Sequence, residues 1–199
     1  RTIEFKSLNL KVFNKFLYLI IILIYGIFLP KLSASNVIRV LVKEGDSIFL
    51  RADGDSYLEV IGINNKKYEL KGIYIQHKGN FSSWRGLEKF KDIKILPSNF
   101  IIKVNSFSQR GIWLGRRRFS GQLVVSKDKQ LMVINKINLE KYLASVVGSE
   151  MPKSWPKEAL KAQAIASRTY ALNQIKIDKK YDLRATESSQ VYLGLESET

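Results

Sequence analysis

The 199-residue chain contains no cysteine and one histidine, His77, and its 18 acidic side chains are outnumbered by 33 basic ones. Without cysteine it can form neither a disulfide nor a thiolate metal site. That absence is compatible with export but does not require it. A lone histidine cannot build a closed metal site, so neither a metal nor another cofactor is expected. There is no internal repeat of useful length and no low-complexity linker. The apolar run from Phe16 to Leu29 has 14 residues, short of the roughly 20 that a comfortable bilayer span needs.

What surrounds that run is informative. Arg1, Lys6, Lys11 and Lys15 precede it, and Pro30 and Ser33-Ala34-Ser35 follow it. A basic start, an apolar middle and a small-residue exit are the parts of a secretory signal. Residues 1–35 therefore read as a cleaved signal peptide or as an N-terminal membrane anchor. Either outcome places the remainder in the cell envelope, in the periplasm or on the outer face of the cytoplasmic membrane. The net charge of +15 is unevenly spread, since residues 36–142 carry 20 basic and 10 acidic side chains and residues 143–199 carry 8 and 7. For an exported chain this excess suits an anionic wall polymer or membrane surface, not nucleic acid. A solvated lysine-rich surface accounts for it equally well.

Residues 36–110 read as β-rich. The segments 38–42, 47–52, 57–63 and 66–70 are short strand-like runs, divided by Glu44-Gly45-Asp46, Asp53-Gly54-Asp55 and Asn64-Asn65, all of them turn chemistry. Residues 73–107 are less clear, with further runs at 93–96 and 100–104. Residues 122–126 and 130–135, joined by Lys127-Asp128-Lys129, read as a β-hairpin. Just before it, Arg116, Arg117 and Arg118 form the densest basic cluster. They suit either a grip on an anionic polymer or a solvated turn.

The hairpin feeds a helical pattern. Asn138 is a plausible N-cap, and Leu139, Tyr142, Leu143, Val146 and Val147 recur at three- and four-residue steps, which predicts one buried stripe. Gly148 and Pro152 end that helix. Pro156 and Glu158 suit the start of a second, alanine-rich helix running to about Gln174. Glu150 then falls in a turn between two helices, flanked by Val147, Met151 and Trp155. On residue chemistry alone it is either a carboxylate poised in a corner or a helix-end acid paired with a nearby cation. The fold class expected is α+β: antiparallel strands, then a hairpin, then a helix–turn–helix corner with a cleft beside it.

The stretch GSEMPKSWPKEALKAQAIASRTYAL, residues 148–172, resembles the core signature of the sporulation stage II protein D (SpoIID)/LytB amidase-enhancer family. The likeness thins out back to Gly121 and forward through Tyr181-Asp182-Leu183 and Gln190-Val191-Tyr192 to Gly194. The resemblance implies that residues 111–199 are the N-terminal part of a SpoIID-like domain that continues beyond Thr199. It implies an exported cell-wall protein acting on peptidoglycan glycan strands as a lytic transglycosylase, or a non-catalytic enhancer of a cell-wall amidase. Some members bind zinc through cysteine and histidine in the last segment. Arg184, Ser188 and Ser189 stand there in this chain, so no metal is expected.

Glycosidic cleavage usually takes two carboxylates, whereas a lytic transglycosylase manages with one, because the sugar's own C6 hydroxyl is the nucleophile. The resemblance places the family's catalytic glutamate on Glu150. Burial against Val147, Met151 and Trp155 is expected to raise its pKa and keep it protonated. Lys161 and Arg168 share a helix stripe with Ile165 and Leu172, expected to be partly buried. The family pattern keeps Lys and Arg at these two points, which implies substrate binding or support of Glu150. Gln163 and Tyr170 on a neighbouring stripe, Trp155 as a stacking platform and Gln190 complete the candidate substrate-binding set. Each also has a plain structural explanation.

Overall fold

The computed structural model describes residues 37–63, 66–85, 88–90 and 96–197. The N-terminal basic–apolar segment, the Asn64-Asn65 turn and most of the run expected at 93–96 lie outside them. In chain order the strands are β1 (Val37–Gly45), β2 (Ser47–Ala52), β3 (Leu58–Ile63), β4 (Lys66–Leu70), β5 (Gly72–Gln76), β6 (Phe81–Arg85), β7 (Glu88–Phe90), β8 (Ile101–Ser106), β9 (Ile112–Leu114), β10 (Arg117–Phe119), β11 (Gln122–Lys127) and β12 (Leu131–Asn138). Two helices follow, α1 (Leu139–Glu150) and α2 (Lys157–Gln174). Then come a two-residue strand, β13 (Leu183–Arg184), and a 3-10 turn at Leu195–Ser197.

The fold is α+β, as expected. One sheet has the order β13-β1-β12-β11-β8-β3-β4 and the other β10-β9-β2-β5-β6-β7. Every pairing is antiparallel except that of β13 along β1. Alternation along the strands turns Ile38, Val40 and Val104 of the first sheet and Ile48, Leu50 and Ile73 of the second into a shared core. The chain crosses between the sheets at Gly45-Asp46. Because β1 pairs with β12 and β2 with β9, strands on both sides of residue 110 build the same two sheets.

The hairpin is present, with Gln122 opposite Lys136 and Lys127 opposite Leu131. Its second strand runs three residues longer than expected and passes directly into α1. There Asn138 caps the helix, its side-chain oxygen accepting from the Glu140 N–H at 2.9 Å. All five residues of the predicted α1 stripe are buried. Gly121, just ahead of the hairpin, has φ +81°, and a Cβ there would lie 2.4 Å from the Lys136 carbonyl oxygen. Only glycine lets the backbones approach this closely. Strands β5 and β6 escaped the sequence reading because Gly72, Ser82 and Ser83 dilute the apolar alternation. Gly72 leaves room for the Trp84 ring, which a Cβ would meet at 2.1 Å.

Helix α2 departs from expectation. Only Ser167 and Ala171 are buried along its 18 residues, and Ile165 and Leu172 are 61% and 40% exposed. The stripe holding Lys161, Ile165, Arg168 and Leu172 faces outward, because the alanine-rich helix packs along one narrow line of small residues. After α2 the chain is tied back by Asp182, whose side chain is 1% exposed. It accepts from the Arg39 backbone N–H at 2.8 Å and from the Nε and Nη2 groups along one edge of the Arg39 guanidinium. Arg39 also donates to the carbonyls of Lys176 and Lys179. The hydrogen bonds to Asp182 raise the Arg39 pKa above its ordinary value.

Two outcomes follow from these contacts. Asp182→Ala leaves the Arg39 charge partly buried without its partner and is expected to cost about 3 kcal/mol in urea unfolding. Loss of the exposed Lys180–Asp128 pair is expected to leave the urea midpoint nearly unchanged, because solvent screens it. Among the described residues four carboxyls are held below their ordinary values: Asp53 chiefly by the Trp113 indole N–H, Glu59 chiefly by Lys67, Asp128 chiefly by Lys180, and Glu196, against its partial burial, by Arg118. A lowered carboxyl adds stability that is complete above its unfolded pKa and lost as pH falls through the folded one. The thermal midpoint should therefore decline below about pH 4; a midpoint that climbs on acidification contradicts this assignment.

Candidate functional site

Glu150 is the last residue of α1 and does not lie in the turn that follows. The Met151 N–H closes the helix on the Val147 carbonyl at 2.9 Å, and Pro152 prevents a further turn. The 151–156 connection bends through a Trp155 N–H to Pro152 carbonyl hydrogen bond of 3.0 Å before α2 begins.

The expected burial of Glu150 is not found. Val147 points into the protein, Met151 is half-buried, and Trp155 is 50% exposed, so the carboxylate is reached by solvent. One of its oxygens accepts from the Gln163 side-chain amide at 2.6 Å and the other from the Val191 backbone N–H at 3.3 Å. Both donors are neutral. The end of a helix carries partial negative charge, and no basic residue occupies the last turn of α1. An acid here is electrostatically unfavourable, and the two donors offset that cost without a cation.

The donors are positioned from beneath. The buried Tyr142 hydroxyl donates to the Gln190 side-chain oxygen at 2.8 Å, and the Gln190 amide donates to the Ser167 carbonyl at 3.3 Å. Gln163 reaches the Ser167 hydroxyl at 3.4 Å as well as Glu150. Tyr192 donates to Asn135 at 2.7 Å, and Asn135 donates to the carbonyls of Ser120 and Gln122. The three residues of the Gln-Val-Tyr trio thus act separately. Gln190 joins α1 to α2, Val191 holds Glu150, and Tyr192 fastens the segment to β12. Gly194 ends it, with φ +83° and a virtual Cβ 2.1 Å from the Arg118 carbonyl oxygen. Its N–H donates to Ser145 at 3.1 Å. Burial pushes the Tyr142 phenol far above its ordinary pKa, and the Glu150 charge adds to the effect.

Of the other candidate residues, Gln163 stands beside Glu150. Gln190 is buried, with its amide spent on Tyr142 and Ser167. Tyr170 and Trp155 are exposed. Lys161 pairs with Glu158, and Arg168 forms a two-pronged pair with Glu140. Glu140 lies ten residues before Glu150 on one helix, about 15 Å along its axis, so Arg168 serves the opposite end of α1. Arg118 pairs with Glu196 and lies over the Trp113 ring, while Arg116 and Arg117 are exposed. Ser145, Ser167, Asn135 and the Val191 N–H did not stand out in the sequence. Small polar residues within apolar stripes, and a backbone donor, leave no pattern to read. Among the described residues no group of three or more His, Cys, Asp or Glu could hold a metal ion. No described helix is long and apolar enough to cross a membrane.

Residues 127–199 match the SpoIID family, described as Stage II sporulation protein. That match covers the hairpin turn, both helices and the Gln-Val-Tyr segment. An uncharacterized protein of Brachyspira hyodysenteriae (strain ATCC 49526 / WA1) is 38% identical over 93 residues, which cover 45% of this chain and 25% of the relative. The matched region thus spans about a quarter of that relative's length. No solved structure matches.

Gln190→Leu removes the partners of the Tyr142 hydroxyl and the Ser167 carbonyl. It is expected to lower unfolding free energy by about 1–3 kcal/mol, measured by urea denaturation; an unchanged midpoint would show that these groups find other partners.

Proposed function

We propose that this chain is an exported cell-wall protein that cleaves peptidoglycan glycan strands as a lytic transglycosylase, with Glu150 as general acid and base. What carries the reading is the state of that carboxylate. It sits at the negative end of a helix, open to solvent, and is held by two neutral donors, with no cation on it among the described residues. A cation would lock the group in its ionised form. An acid that must give up and recover a proton needs the opposite.

The chemistry closes on one carboxyl group. Glu150 in its acid form donates its proton to the glycosidic oxygen as the bond to the muramic anomeric carbon breaks. The C6 hydroxyl of the same sugar then attacks that carbon, and the Glu150 carboxylate takes up the hydroxyl proton. The product is a 1,6-anhydro ring, no water is consumed, and the acid is restored. A seated glycan would displace solvent from Glu150 and supply the desolvation that the free protein lacks. Gln163 keeps the carboxylate aimed, and Trp155, five residues on, and Tyr170 on α2 offer exposed rings for stacking on sugar faces.

A second reading is favoured by a different observation. Ile165 and Leu172 lie seven residues apart on the outward face of α2, which suits contact with a protein partner such as a cell-wall amidase. In that case the protein binds wall and enhances the partner without cleaving glycan itself.

Digestion of purified glycan strands stripped of stem peptides separates the two. Mass spectrometry is expected to find anhydro-muramic products, reduced by about 100-fold or more in Glu150→Gln. Equal product from the variant, or none from the wild type together with stimulated amidase activity in a mixed digest, would overturn the enzymatic reading.

A further inference from the structure

The outer face of the seven-stranded sheet carries a groove of about 470 Å³ that shares no residue with the Glu150 site. Its floor is aliphatic, formed by Val124 and Ile134 with Ile101 at one side. Leu41 and Met132 extend the floor into a small buried cluster against which Tyr181 packs. Its rim is cationic. Arg39, Lys103, Lys127, Lys136 and Lys180 line it, and among the described residues no acidic side chain does.

Two of these charges are already committed, Arg39 to Asp182 and Lys180 to Asp128. Among the described residues, Lys103, Lys127 and Lys136 have no ion-pair partner. Lys127 and Lys136 are half-buried, so part of their hydration is lost with no opposite charge in exchange. Arg39 and Lys136 also stand directly opposite each other on β1 and β12. Like charges in that position destabilise a sheet. The fold bears an unfavourable arrangement that a bound anion would relieve.

Four of the rim residues lie on β1, β12, β11 and β8, four consecutive strands, and Lys180 lies in the segment between α2 and β13. Three strand spacings extend about 14 Å, wider than one phosphate group needs. A flat charged membrane would meet the rim but leave the recessed floor empty. A strand with anionic groups at intervals and an uncharged backbone between them matches both parts. Its charges reach the lysines, and its carbon backbone lies on Val124 and Ile134.

We propose that this groove binds a linear polyanion of the cell envelope, a polyol chain joined by phosphodiesters. The proposal rests on the reading of the chain as an exported wall protein, but not on its catalytic activity. Such binding would hold the protein on the wall while the Glu150 site works on glycan.

The test is calorimetric titration of the purified protein with poly(glycerol phosphate) at two salt concentrations. Binding is expected to weaken as salt rises, because each contact releases condensed counterions. The variant Lys103→Ser/Lys127→Ser/Lys136→Ser is expected to bind about tenfold more weakly, with a thermal midpoint no lower than that of the wild type because the unpaired charges are removed. The same three positions changed to arginine should retain binding, which guards against a folding defect. Glu150→Gln should bind as the wild type does. A serine variant that binds like the wild type would overturn the proposal. So would anionic phospholipid vesicles binding where the polymer does not, or inorganic phosphate competing equally at matched phosphate. Polymer binding without glycan cleavage would overturn the enzymatic reading alone, and cleavage without polymer binding would overturn this proposal alone.

Discussion

The side-chain amide of Gln190 sits where α1, α2 and the last described segment meet. Its oxygen takes the Tyr142 hydroxyl and its nitrogen gives to the Ser167 carbonyl, both in a region closed to water. A buried polar group left unpaired costs more than a typical hydrogen bond returns, so this bridge constrains three backbone segments at once. Its next residue supplies the N–H that meets Glu150, and the one after fastens to Asn135. The position of the candidate catalytic acid is thus set by a polar network beneath it and not by packing around it.

That arrangement changes what the acid needs in order to act. A glutamate buried in apolar surroundings would hold its proton in the free protein. Glu150 is exposed and takes two hydrogen bonds from neutral donors; under the proposed function, the apolar cover would come from the seated glycan. Lys161 and Arg168 are absent from this balance because each has a carboxylate of its own. Their shared stripe implied a joint role, but pairing within and between helices satisfied them separately.

The two faces of the seven-stranded sheet divide the work. One face, with the second sheet and α1, forms the core that makes the rest rigid. The other carries unpaired lysines around an aliphatic floor. Arg39 links these roles, since its strand lies in the sheet while its guanidinium closes the loop after α2 through Asp182. The excess of basic side chains in residues 36–142, diffuse along the chain, becomes a local feature only when four strands are laid side by side.

Much of this was legible in residue order. The α+β class, the ends of β2 and β4, the hairpin, the Asn138 cap and the buried stripe of α1 all follow from contacts between residues a few positions apart, where periodicity and capping act. Strands β5 and β6 were hidden because Gly72 and the serines break the alternation that signals a strand. The resemblance to the SpoIID signature pointed to Glu150 and Gln190, yet the sequence placed the acid in an apolar corner and the amide toward a substrate. Tertiary structure decided otherwise, because exposure and hydrogen-bond partners depend on segments 13 to 48 residues away closing on one another. Local spacing carries no information about which donor arrives from that distance, nor about which lysines meet across a sheet.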